Sequence, residues 1–148
     1  MEKTLKEFQK EQAINCFNET WGFIDKTDRT PEDDLNMLHC AHASRYLWGQ
    51  VGEPIHFERG EWQISKVYAL LNKGEQALYH GQACLKICLD NDIKDFDISF
   101  AYEAIAQAYK VLGDSEQVEL YKKKAFDTVE DIKDAGDKEY TLTELNKI

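Results

Sequence analysis

The stretch that decides the fold is AIAQAYKVLGDSEQVELYKKKAF, Ala104 to Phe126, because QISKVYALLNKGEQALYHGQACL, Gln63 to Leu85, carries the same pattern 41 residues earlier. Tyr68, Leu71, Glu75 and Gln76 recur as Tyr109, Leu112, Glu116 and Gln117, while Ala77 pairs with Val118 and Cys84 with Ala125. Asn72 and Gly113 hold the matching turn, and both residue types tolerate the left-handed backbone that ends a helix. A fixed period of this length signals stacked supersecondary units, none of which buries its apolar face alone.

Subtracting 41 once more brings Asp34, His39, Ala43 and Leu47 opposite Glu75, His80, Cys84 and Cys88. The pattern fails in the first helix, where Thr27 stands in the tyrosine slot, as a terminal unit acting as an atypical cap predicts. Apolar residues fall three and four apart nearly everywhere, and no alternating run argues for a strand. Breakers then divide the chain into seven helices. The first spans about Thr4 to Asp25, with Thr4 and Glu7 spaced as a capping box. Thr30 and Pro31 open the second, and Gly52, by taking the left-handed conformation, closes it ahead of Pro54. The others cover about Ile55 to Leu71, Glu75 to Leu89, Phe96 to Leu112, Ser115 to Lys133 and Asp137 to Ile148.

The sequence therefore predicts one all-α domain over residues 1–148, a right-handed stack of antiparallel helical hairpins. Residues 1–53 form a divergent first hairpin, 54–94 and 95–135 two repeats, and 136–148 a capping helix whose Leu142, Leu145 and Ile148 cover the final apolar face.

A chain of 148 residues with 43% apolar and 31% charged residues, two prolines and eight glycines is globular throughout. Its net charge of −10 would repel a phosphate backbone, so nucleic acid and anionic membranes are poor partners. No window is apolar enough to span a bilayer, and the opening MEKTLKEFQKEQ lacks the apolar core of a signal peptide. Cys16, Cys40, Cys84 and Cys88 lie inside helical patterns rather than at the spacings of a disulfide scaffold, which fits reduced thiols in a cytoplasm.

Within the deciding stretch, Ala106, Tyr109, Gly113, Tyr121 and Ala125 closely resemble a tetratricopeptide repeat, and Ser65, Tyr68, Ala77 and Cys84 match it less well. The resemblance covers about Glu58 to Lys133, with a period longer than the family's usual 34 or so residues; the flanking sequence is similar to bacterial proteins of this class. It implies ligand docking on the concave face made by the first helix of each pair. Arg59, Trp62 and Lys66 form one stripe of the third helix. Phe100, Glu103, Gln107 and Lys110 form the corresponding stripe of the fifth, and Trp21 holds the matching place in the first. A tryptophan between two cations would grip a carboxylate-bearing peptide, Arg59 through bidentate hydrogen bonds and Trp62 through apolar area. In the plainer reading Trp62 packs between helices, and Arg59 and Lys66 pair with Glu58, Glu61 or Glu103.

Other constellations point to chemistry less strongly. His39 and His42 lie three apart, and Glu53 precedes His56 at the spacing used by carboxylate-bridged metal bundles, although Pro54 interrupts that pair. These four residues define a metal-protein or metalloenzyme alternative. His80, Cys84 and Cys88 step by four along one helix, yet the repeat gives the cysteines the slots of alanine, leucine and valine, so they read as small seam residues. The acidic run Asp90, Asp92, Asp95, Asp97 lacks the glycine and glutamate of a calcium loop, and Asp95 or Asp97 is expected to cap the fifth helix. The chain carries no phosphate-cradling, nucleophile-elbow, dinucleotide or zinc-protease motif. The expectation is a noncatalytic, cofactor-free module for a protein or peptide ligand, with a self-associating scaffold as a further alternative.

Overall fold

A computed structural model describes residues 2–148. It contains α1 (Leu5–Asp25), α2 (Pro31–Val51), α3 (Pro54–Leu70), α4 (Gly74–Asp90), α5 (Phe96–Leu112), α6 (Ser115–Val129) and α7 (Ala135–Leu145), with no strand among the described residues. Neighbours in sequence are neighbours in space: α1 packs on α2, α3 on α4 and α5 on α6, while α4 touches α5 and α3 touches α5 across the hairpins. None of these helices is long and apolar enough to cross a membrane.

The starts are set by side-chain caps. Thr30 accepts from the Asp33 amide at 3.1 Å while Asp33 accepts from the Thr30 amide at 3.0 Å, a reciprocal box followed by Pro31 at the first helical position. At α1 the exchange is one-sided. The Thr4 hydroxyl accepts from the Glu7 amide, but the Glu7 carboxylate takes the hydroxyl proton rather than the Thr4 amide. The open carbonyls at the end of α1 are met by Arg29, whose Nη1 donates to Phe23, Ile24 and Lys26.

The 41-residue equivalence holds at the turns. Asn72 has φ 62° and Gly113 φ 78°, the left-handed pair that was expected. The amide of Lys73 then returns to the Tyr68 carbonyl at 2.9 Å, and that of Asp114 to the Tyr109 carbonyl at 3.1 Å. Side chains follow the same rule. Tyr68 stacks on His80 with centroids 5.6 Å apart, and the residues 41 further on, Tyr109 and Tyr121, stack at 5.7 Å.

Several local expectations need correction. Gly52 ends α2 with φ −99°, not left-handed; a Cβ there would lie 2.9 Å from both the Trp48 ring and the Trp48 carbonyl oxygen, so glycine serves close approach instead. Asp95 precedes α5 at φ 63° but makes no cap hydrogen bond, because its carboxylate accepts from the Lys133 amide at 3.3 Å. Asp97 does not cap either; its carboxylate is held by Arg59. α6 stops at Val129 rather than Lys133, and Ile132 folds back into the core.

Three apolar clusters sit at successive junctions: Met37, Ala41, Ile64 and Val67; then Cys84, Cys88 and Ala101; then Ala125, Val129, Ile132 and Leu145. The last includes Leu142 and Ile148 at its edge, so α7 closes the stack as its apolar residues predict.

Candidate functional site

The first helices of the hairpins, with α7, bring one aromatic side chain each to a common groove. Trp21 of α1 and Trp62 of α3 have ring centroids 5.8 Å apart, Trp62 and Phe100 of α5 are 6.0 Å apart, and Phe100 and Tyr140 of α7 are 6.1 Å apart. The four rings line an open cavity of about 520 Å³ whose other walls include Lys66, Glu103, Glu144 and Lys147. An adjoining cavity of about 280 Å³, lined by Trp62, Lys66, Glu103, Gln107 and Lys110, extends it along α3 and α5.

Trp62 is fixed by polar as well as apolar contacts. Its Nε1 donates to Glu103 Oε1 at 3.1 Å, and the Lys66 ammonium sits 5.6 Å from its ring centroid. Burial pushes the Glu103 carboxyl above the usual carboxylate range, opposed by Lys66 and by hydrogen bonds from Trp62 and Gln107. Of the predicted site residues, Trp21, Trp62, Lys66 and Glu103 meet in the larger cavity and Gln107 lines its extension.

Arg59 is placed differently from the expectation. Its Nε and Nη2 donate to the two carboxylate oxygens of Asp97, both at 3.0 Å, so the bidentate fork assigned to a ligand is spent inside the chain. None of Glu58, Glu61 and Glu103, suggested as its partners, takes that place. Glu61 instead accepts from Arg45 Nε at 2.8 Å and from His80 Nδ1 at 2.7 Å. Burial opposes its charge, but His80 and Arg45 overcome that and hold its carboxyl below the ordinary value.

Of the histidines proposed as metal ligands, His39 is exposed and His42 and His56 are engaged elsewhere. His42 Nε2 shares a 3.0 Å hydrogen bond with the Tyr68 hydroxyl, and burial, then the neighbouring His80, lowers its pKa. His56 Nδ1 accepts from the Glu53 amide at 3.0 Å while its ring stacks on Trp48 at 4.1 Å. Among the described residues, the group of three or more ligand-bearing side chains that does converge is Glu58, Cys84 and Cys88, all buried.

Tyr140, Glu144 and Lys147 of the groove escape the sequence reading, and Glu58 of the buried trio enters it only as an ion-pair partner. A signal for the first two existed. Continuing the period from Trp21 and Trp62 through Glu103 reaches Glu144, and from Glu58 through Ser99 reaches Tyr140, so α7 occupies the place of a fourth first helix. No family model, curated protein or solved structure matches the chain.

Proposed function

We propose that the protein is a noncatalytic interaction module whose groove takes an amphipathic helical peptide or partner helix. The carrying observation is the ladder Trp21, Trp62, Phe100, Tyr140, with steps of 5.8, 6.0 and 6.1 Å. An α-helix rises about 6 Å between residues i and i+4, so apolar side chains on one helical stripe match the spacing of the rings. Aromatic side chains supply large contact area at low entropic cost, and they concentrate where binding energy does. Arg59 and Lys147 are paired with Asp97 and Glu144, which leaves Lys66 and Lys110 to receive an acidic residue on the partner.

Panning a random peptide library against the immobilised chain tests this reading. Enriched peptides should carry apolar residues three and four apart with an acidic residue nearby. Trp62→Ala should weaken them by roughly thirtyfold or more, the loss expected of a hot spot worth about 2 kcal/mol. Tyr79→Ala, on the exposed surface of α4 outside the groove, should leave affinity unchanged. Peptides that bind the Trp62→Ala variant, confirmed helical by circular dichroism, as well as the parent would refute the placement.

A further inference from the structure

Beneath the groove, the second hairpin departs from its neighbours in a way that packing does not require. The seam slots of Glu58, Cys84 and Cys88 are filled by Phe17, Ala43 and Leu47 in the first hairpin and by Ser99, Ala125 and Val129 in the third. Hydrocarbon and a single hydroxyl therefore suffice at these slots. Here two thiols and a carboxyl group take their place, with Glu58 2%, Cys84 0% and Cys88 1% exposed. A buried carboxyl group is costly unless something compensates it.

The geometry is that of a ligand set. Cys84 Sγ lies 3.9 Å from Glu58 Oε1 and Cys88 Sγ 3.7 Å from Glu58 Oε2. One ligand atom of each residue lies within 4.8 Å of the other two. A tetrahedral zinc ion, with Zn–S about 2.3 Å and Zn–O about 2.0–2.2 Å, holds neighbouring sulfur and oxygen ligands about 3.6 Å apart. Each sulfur–oxygen separation is thus close to such an edge, the two thiols facing different oxygens of Glu58, and rotation of the carboxyl group would bring one oxygen to both. Cys84 and Cys88, four apart on α4, project from one side of the helix.

The surroundings add orientation and access. Asp97 lines the same cavity as Glu58 and is itself gripped by Arg59, a second carboxylate with its counter-charge beside the trio. The cavity, which Arg59 also lines, is of about 270 Å³ and opens beside Trp62 and Phe100. Glu58 is the member of the trio that reaches this cavity, so an ion has a route in from the groove past its carboxyl group.

We propose that Glu58, Cys84 and Cys88 form a binding site for a thiophilic divalent cation of the zinc type, with Asp97 on the cavity wall beside Glu58. Binding exchanges protons for metal. Each thiol and the Glu58 carboxyl gives up one proton to solvent as its bond to the ion forms, about three in all, with no change of oxidation state. Affinity therefore rises with pH; the ion offsets two of the three ligand charges, Arg59 being already paired with Asp97.

The full chain, stripped with a chelator and kept reduced, is titrated with Co²⁺ alone and with Zn²⁺ against a chromophoric chelator. The proposal expects one equivalent bound, with sulfur-to-cobalt charge-transfer absorption and the strong visible bands of tetrahedral cobalt. Cys84→Ala with Cys88→Val installs the residues of the next repeat, so the fold should persist by circular dichroism while the absorption disappears. Glu58→Ser, likewise borrowed from that repeat, should weaken binding at least about tenfold. Cys16→Ala with Cys40→Ala should change nothing. Metal binding equal in the parent and the Cys84→Ala, Cys88→Val variant, or lost with Cys16 and Cys40 instead, overturns the proposal.

Discussion

Glu58 is displaced far from its ordinary chemistry. Burial first, then the neighbouring Asp97 and Cys88, raises its carboxyl from a usual 4.5 to about 10 against the opposing pull of Arg59. In the metal-free chain Glu58 is therefore protonated when folded and ionised when unfolded over most of the intervening range. The folded state holds the extra proton, so its contribution to stability is full below about pH 4.5 and is lost as pH rises toward 10. Urea unfolding in chelator should show stability falling between pH 6 and 9, with a slope approaching about 1.4 kcal/mol per pH unit, and Glu58→Gln should flatten it. A parent profile already flat over that range would mean that Glu58 ionises normally. At this scale the sequence yields residue types but not partners. Trp62 and Lys66 fall on the groove stripe because helical spacing is local. The Arg59–Asp97 pair spans 38 residues and depends on how α3 meets α5, whereas Glu58 and Glu61 merely stand nearer in the chain.

The helices themselves were legible because their ends are written in short-range chemistry. Thr4, Thr30 with Pro31, Asn72 and Gly113 act within a few residues of where they sit, and α5 begins and ends where its periodicity says. One misreading occurs where a distant element decides, since Lys133 donates to Asp95 rather than continuing α6. The other turns on a side-chain conformation, Gly52 being required by the Trp48 ring and carbonyl four residues back rather than by its own dihedral angles. Turn chemistry offers a test of equivalence between the two repeats. Gly113→Ala places a Cβ in the left-handed region and should cost about 1–2 kcal/mol in chemical denaturation. Asn72→Gly, at the matching slot, should be neutral or slightly stabilising. A neutral Gly113→Ala would mean that the α5–α6 turn does not need its left-handed residue.

Across the whole molecule, one number organises what the parts do. A period of 41 residues sets Trp21, Trp62, Glu103 and Glu144 along one groove, and Tyr68–His80 and Tyr109–Tyr121 along another seam. The same period shows where a slot is used differently: the second hairpin fills its seam with Glu58, Cys84 and Cys88, and α7 extends the groove without a partner helix of its own. Because each unit contacts mainly its neighbours, the groove exists only if the units stack in register. That register is read most directly by the coupling of two indoles 41 residues apart. Trp21 and Trp62, with centroids 5.8 Å apart, should give an exciton couplet in circular dichroism. The couplet should vanish in Trp21→Phe and in Trp62→Phe alike and persist in Trp48→Phe. A signal that survives loss of either groove tryptophan, or that depends on Trp48, would contradict the stacking on which the groove rests.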